Sequence, residues 1–470
     1  MSTVSAPSPR SARHRGKPAE RPPGLPGVPG AGVPWARALL VVIWSGVPAV
    51  LALWWQNTIP GSLHSTADWL TAGGRIAGLL AAYLLLVLVA LMARVPWLEN
   101  RVGSDVVARY HRALGEYTVA LAVAHAALVI LGYAWQSGTN PVSEGVTVVL
   151  DYPDVLLSAI ALALLVLVGL VSARAVRRRL GYETWYHVHL LVYVAIGLAF
   201  AHEFAVGADF STSARNRLLW SGAHLVVGVA VVIFRIGLPL RRSLRHRLRV
   251  ARVVGEGPGV VSIHLTGRDL DLLRAEGGQF ARWRFLAPGL WWQSHPYSLS
   301  AAPGADTLRI TVKDLGASSA ALARLRPGTR VWFEGPYGAF TARRTSGRRR
   351  VLLIAGGAGI TPIRALFETL PGRGSDVILL YRASSAEDLV LHRELQAIAR
   401  RRGFGLYPLV GPRTAGGDPL SAVQLRRMVP DLSEREVFLC GPAGMTATAT
   451  EHLRYAGVPQ GRIHTESFEF

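Results

Sequence analysis

The sequence predicts a multidomain membrane protein, a six-helix transmembrane bundle followed by a soluble region of short strands and an α/β unit. Three observations carry that prediction. The chain has 470 residues, two to three domains' worth, and half of them are hydrophobic against 17% charged. Mean hydropathy is positive, at +0.29. Finally, the long apolar segments are confined to one stretch of the chain, after which Gly and Pro divide much shorter ones.

Residues 1–34 hold Pro, Gly, Ser and Arg without an apolar run and are expected to be a disordered tail. The first apolar run comes late, which argues against a cleavable signal peptide. A bilayer core of roughly 30 Å needs about 20 apolar residues as helix. Six segments qualify within 35–240: about 36–55, 69–93, 109–135, 153–173, 184–206 and 215–238. The formal charge of +21 would ordinarily suggest nucleic acid, yet only Lys17 and Lys313 are lysines and many arginines flank the apolar segments. Basic residues cluster before the first segment, between the second and third, between the fourth and fifth, and after the sixth. The alternate loops, 56–68 and 136–152, have no Lys or Arg. Both termini and the soluble region are therefore expected in the cytoplasm of a cell-membrane protein, with lipid and not nucleic acid as the partner. The single cysteine, Cys440, rules out a disulfide framework and a four-thiolate iron–sulfur cluster within the chain.

Ionisable side chains inside a bilayer are costly and usually functional. The third segment carries His111 and His125, fourteen residues or about 21 Å apart and about 40° from a shared face. The fifth offers His187, His189 and His202. Two helices, each with a lower and an upper histidine, can hold two stacked hemes, each iron taking one imidazole from each helix. Helix contacts or a proton path are the plainer alternative for such residues. His224, alone on the sixth segment, reads as a packing residue. Periodicity pairs His202 with His187, since fifteen residues lie about 60° off one face, whereas the thirteen from His189 lie about 140° off. A kink or π turn would reconcile His189 with that face. Arg75, in the second segment, is a candidate for bonding a propionate of the outer heme, with a topology anchor as the alternative.

In the soluble region, His295-Pro296-Tyr297-Ser298 sets an aromatic beside a hydroxyl, suited to packing on a flavin and bonding its phosphates. Lys313-Asp314-Leu315-Gly316-Ala317-Ser318-Ser319 adds a glycine that lets backbone approach a pyrophosphate. Val351 to Ile354 reads as a buried strand that runs into Gly356, Gly357, Gly359, Thr361 and Pro362. That strand, Gly-rich turn and helix start suit a dinucleotide pyrophosphate, although Pro362 stands where the standard fingerprint has glycine. Strand-and-turn units at Val377–Arg382 and Val437–Pro442 indicate a parallel doubly wound sheet. Cys440, Gly441 and Pro442 fall at a strand's C-terminal end, where ligands gather; a plain buried thiol is the alternative for Cys440. Arg382, following the second strand, favours NADPH over NADH, with a sheet-edge cap as its other reading.

Together these residues resemble the NADPH oxidase and ferric reductase superfamily, over roughly 36–470. The resemblance implies a di-heme membrane domain (35–240), an FAD-binding β-barrel (246–345) and an NAD(P)-binding α/β doubly wound domain (348–470). Tyr182-Glu183-x-Trp185-x-x-x-His189-Leu190-x-x-Tyr193 resembles the family's fifth-helix pattern and so implies His189 as a heme ligand. The implied pairs are His111 with His189 for the inner b-type heme and His125 with His202 for the outer one. Glu334-Gly335-Pro336-Tyr337-Gly338 resembles the turn closing the flavin domain, and Glu466 to Phe470 the family ending whose last aromatic covers the flavin. Phe470 and Cys440 would then border the reacting rings. The implied activity is an oxidoreductase carrying electrons from cytoplasmic NAD(P)H, through FAD and two hemes, to a small-molecule acceptor across the membrane. Dioxygen and ferric chelates are the expected acceptors; the alternative is an electron donor to a quinone-linked or periplasmic partner protein. Some oxidases of the family have a further histidine one turn after the outer ligand, where this chain has Val129.

Overall fold

The computed structural model describes residues 33–58, 61, 63–177, 179–205, 207–345, 350–411 and 418–466. The expected tail lies almost wholly outside these residues, as does Phe470. Six helices are long and apolar enough to cross a membrane: Trp35–Gln56, Thr66–Leu91, Val106–Ser137, Val155–Ser172, Thr184–Ala205 and Ala214–His246. They coincide with the six apolar segments, and their outward faces remain apolar, as a lipid-facing surface requires.

Three local departures from plain spans have physical causes. The fifth span is two helices, Tyr182–His189 and Leu191–Ala205, broken at Leu190. The sixth runs beyond residue 238 to His246 through a π turn at Val232–Gly237. Pro239 follows that turn; it has no N–H to give and its ring presses on the preceding helical turn, which the wider winding relieves. The stretch 136–152, expected as a loop, contains the helix Pro141–Asp151, with Asn140 capping Val142 N at 2.8 Å and Pro141 in the first turn.

The second and third spans pack closely because small residues line their seam. An added Cβ at Gly74 would stand 2.7 Å from Val129 Cγ2, and one at Gly78 would stand 2.7 Å from His125 Nδ1. This is the small-xxx-small device, which lets helix backbones approach where burial in lipid offers no hydrophobic gain.

After the spans, strands β1 (Arg249–Gly257), β2 (Val260–Thr266) and β5 (Thr307–Lys313) form one antiparallel sheet. A second sheet is formed by β3 (Phe280–Phe285), β4 (His295–Ser298) and β6 (Val331–Tyr337). Bridges at Leu299–Ile310 and Arg249–Arg330 join the two around one core, which includes Ile263, Trp283 and Phe333. Trp283 is fully buried, stacks on Phe333 at 5.9 Å and donates Nε1–H to Tyr297 O at 2.9 Å, holding β4 in place.

The last unit is a wholly parallel sheet ordered β11-β10-β7-β8-β9. Its strands are β7 (Val351–Gly356), β8 (Val377–Ala383), β9 (Gly405–Val410), β10 (Glu436–Cys440) and β11 (Ile463–Glu466). The completely buried runs of β7 and β10 are what helices on both faces produce.

Candidate functional site

The four membrane histidines come together as two pairs. His111 and His189 have ring centres 6.0 Å apart, and His125 and His202 have theirs 6.4 Å apart. Two imidazoles bound to one metal ion at about 2 Å each put their centres roughly 6 Å apart, so both pairs fit a shared iron. The orienting contacts agree with that role. His111 Nδ1 meets Leu88 O at 3.2 Å and His125 Nδ1 meets Gly74 O at 2.8 Å. A carbonyl only accepts, so each Nδ1 carries the proton and each Nε2 keeps its lone pair.

His189 Nδ1 lies 3.2 Å from Ser172 Oγ, to which Trp185 Nε1 also donates at 3.2 Å. Trp185 stacks on His189 at 5.2 Å, and Arg177 lies over Trp185 at 4.6 Å. The Nδ1 of His202 is buried with no hydrogen-bond partner among the described residues. His187 points elsewhere, its ring 6.2 Å from that of Trp292 in the soluble half. The break at Leu190 resets the helix phase, which is why His189 and His202 can share a face that an uninterrupted helix would deny them.

Arg75, adjacent to the Gly74 carbonyl that holds His125, forms a 2.8 Å ion pair with buried Asp209. Val129 packs against Gly74 in the helix seam. His224 bonds Trp220 O at 3.0 Å and packs on Phe200 at 5.1 Å, the satisfied packing residue that the sequence suggested. Sequence reading missed Arg235, on the π turn, which donates to Met92 O at 3.1 Å. It also missed Gly74 and Gly78, although their four-residue spacing was a readable signal.

In the soluble half, His295, Pro296 and Tyr297 lie half-buried on β4. Burial pushes the Tyr297 phenol up to about 12, so it stays protonated. Ser298 Oγ is buried without a partner among the described residues, an orphan hydroxyl suited to a polar ligand group. The Gly316 loop satisfies itself: Gly316 N donates to Asp314 Oδ1 at 3.0 Å and Leu315 N to Ser319 Oγ at 2.8 Å.

A cavity of about 390 Å³ gathers Lys313, Gly356, Gly357, Thr361, Arg382 and Pro442 between the two soluble units, with Glu387, Asp388 and Met445 also on its walls. Gly357 has a φ of +52°, a conformation that favours glycine. Gly359, in the turn after β7, is pressed against the Cys440 carbonyl and the Gly441 amide at the end of β10, which leaves no room for a side chain. Gly359, Pro362, Cys440 and Gly441 do not line the cavity. The Cys440 thiol is completely buried in the sheet core, and burial, aided by the Glu466 charge, pushes it up and keeps it neutral. The Arg382 guanidinium donates to the carbonyl oxygens of Ala383 and of Leu409, the latter at 3.0 Å on the neighbouring strand, the sheet-edge contact that was its alternative reading.

One interdomain feature carried no local signal. Buried Arg309 on β5 holds Glu394 through two bonds of 2.7 and 2.9 Å, and Arg364 reaches the same carboxylate at 3.0 Å. This joint fixes the cavity's two walls to each other.

Comparison with known families follows the same division. Residues 77–200 match the ferric reductase like transmembrane component, 246–341 an FAD-binding domain, and 353–451 an oxidoreductase NAD-binding domain. The chain belongs to the NADPH oxidase and ferric reductase superfamily. Its ferric reductase like transmembrane, FAD-binding and NAD-binding domains follow one another in that order along the chain. Among curated relatives, the ferredoxin reductase component of 3-ketosteroid-9-alpha-monooxygenase from Mycolicibacterium smegmatis is 31% identical over 232 residues, 47% of this chain and 65% of that protein. A flavohemoprotein from Deinococcus radiodurans is 30% identical over 290 residues, 56% of this chain and 71% of that protein. The chain spans about half to two thirds of the length of the first curated relatives it matches. The flavohem-like FAD/NAD-binding domain of nitric oxide dioxygenase from Vibrio cholerae is 25% identical, with a TM-score of 0.41, over 48% of this chain and 99% of that one.

Proposed function

We propose that this oxidoreductase moves electrons from cytoplasmic NAD(P)H, by way of FAD and two b-type hemes, to a small acceptor on the opposite face of the cell membrane, dioxygen or a ferric chelate. The observation that carries this reading is the paired spacing of the histidines, 6.0 Å for His111 with His189 and 6.4 Å for His125 with His202. When bound, FAD supplies the conversion from a two-electron hydride donor to the single electrons that hemes carry.

The chain's own residues hold and separate these groups. His111 and His189 hold the inner heme, and His125 and His202 the outer one. His295 to Ser298, with Lys313, Gly316, Ser318 and Ser319, cradle FAD. Gly356, Gly357, Gly359, Thr361, Pro362, Gly441 and Pro442 shape the nucleotide turn, with Lys313 and Arg382 as the cations nearest a ribose phosphate. Cys440 stands behind this turn as a neutral packed thiol and leaves the cavity wall to Gly356, Gly357 and Pro442. Arg75 would meet a propionate of the outer heme: its Nε is buried and has no partner among the described residues, so its guanidinium could serve a propionate as well as Asp209.

The deciding experiment is an absorption spectrum of the detergent-purified chain with FAD, before and after anaerobic NADPH. Reduction of two low-spin hemes per chain supports the relay, and bleaching of flavin alone overturns it. Admitting oxygen or a ferric chelate then reads the acceptor. NADPH is expected to outrun NADH, and equal turnover with both, unchanged in Arg382→Ala, would remove that preference. In Arg75→Ala, the midpoint potential of the outer heme is expected to fall; an unchanged potential would assign Arg75 to anchoring alone.

A further inference from the structure

The turn between β3 and β4 reaches the membrane half and presents an uncovered aromatic there. Leu286-Ala287-Pro288-Gly289-Leu290-Trp291-Trp292-Gln293-Ser294 contains no acidic residue. It is rigidly built: Ala287 O accepts from Leu290 N at 3.0 Å and from Trp291 N at 3.1 Å, and Gln293 N donates to Leu290 O at 3.0 Å. Leu290 is buried as its anchor, while Trp291 is 61% exposed and Trp292 42%.

Trp292 fixes the depth of this turn. It packs on His187, the fourth residue of the apolar span Thr184–Ala205, three residues or about 4.5 Å inside its start. Arg282, at the base of the turn, lies 5.9 Å over the ring of Tyr186, on the same helix end. A side chain of the soluble half thus stands level with residues that belong to the bilayer, and Trp291 is its neighbour with the larger exposed face.

We propose that the Trp291–Trp292 turn is a membrane-interface anchor of the flavin domain, with Trp291 seated among the lipid headgroups and upper acyl carbons of the leaflet next to the soluble half. Three features fit that occupant: an amphipathic indole, the absence of acids in the turn, and the cationic Arg282 at its base, beside Tyr186 at the membrane end of the fifth span. The turn ends at Ser294, immediately before His295, whose Nε2 lies 3.0 Å from Gln293 Oε1, so the anchor also fixes the approach of the flavin strand to the fifth span. The inference needs only the membrane and not the heme assignment.

The test uses the full chain in vesicles of phosphatidylcholine and phosphatidylglycerol. Because Cys440 is fully buried, a nitroxide on Trp291→Cys is site-selective, and Tyr455→Cys, 82% exposed on the nucleotide-binding domain, serves as the aqueous control. The label at 291 is expected to relax severalfold more with oxygen than with a water-soluble nickel chelate, relative to the control. Equal ratios at 291 and 455 would overturn the anchor and leave the turn to an aqueous or protein partner. A second, conservative variant guards against misfolding. With brominated lipid, Trp291→Phe should remove a quenchable share of emission, one of 13 tryptophans, and loss of only unquenched emission would overturn the proposal.

Discussion

At the residue scale, the distinction between His187 and His189 is the sharpest test of the membrane half. His189 faces His111 with Ser172 and Trp185 orienting it, whereas His187 packs toward the flavin domain. His189→Ala should lose one of the two expected hemes, and His187→Ala should retain both; pyridine hemochrome per chain reads the difference. Retention of both hemes in His189→Ala would refute the pairing. Ser298 offers a second test in the soluble half. Its buried hydroxyl has no partner among the described residues, and a hydrogen bond to a charged group contributes about 1.5–3 kcal/mol. Ser298→Ala should therefore weaken FAD binding by roughly ten- to a hundredfold in a flavin titration. Unchanged affinity would make Ser298 a packing residue. Both residue types were readable in the sequence, but which of two neighbouring histidines turned inward was not.

At the scale of elements, the seam of the second and third spans decides whether His125 can stand where it does. Gly78 leaves the space its imidazole occupies, and Gly74 supplies the carbonyl that holds it. Gly78→Ala should cost about 1–3 kcal/mol through overpacking. It should also perturb the spectrum of the outer heme before that of the inner one. Equal perturbation of both would point to general loosening of the bundle. The break at Leu190 and the π turn before Pro239 act at this same scale, each changing helix phase by a fraction of a turn. Neither follows from hydropathy, which reports that a segment spans but is blind to how the helix is wound within it.

For the whole molecule, the Arg309–Glu394–Arg364 joint couples the flavin unit to the nucleotide unit. Burial opposes the charged form of Glu394, but the Arg309 hydrogen bond and the charges of Arg309 and Arg364 outweigh it, so its carboxyl lies below the ordinary 4.5. A carboxyl depressed in the folded state stabilises above its unfolded value, and that contribution is lost as pH falls through the folded one. Thermal unfolding of the detergent-solubilised chain, followed from roughly pH 6 to pH 3, should therefore show an acid limb that Glu394→Gln flattens. A limb of the same depth in the variant would place the acid sensitivity elsewhere. The membrane joint is separate: Arg242 donates to Gly335 O at 2.5 Å, Phe333 N donates to Ser243 Oγ at 3.2 Å, and Arg94 lies over Tyr337 at 5.3 Å.

By itself the sequence determined the number of spans, the histidines available within them, and the order of flavin and nucleotide motifs. Each of these is a local property: apolar length, residue type at helical spacing, or glycine at a turn. Only the tertiary structure decided that His189 and not His187 meets His111, that Arg382 both bonds the neighbouring strand and lines the cavity, and that Cys440 lies behind the cavity instead of on its wall. It alone revealed the charged joint at Glu394, whose partners lie 85 and 30 residues away along the chain. These outcomes depend on helix phase and on contacts between distant segments. Both arise from packing whole elements against one another, for which a linear pattern of apolar and polar residues carries no coordinate.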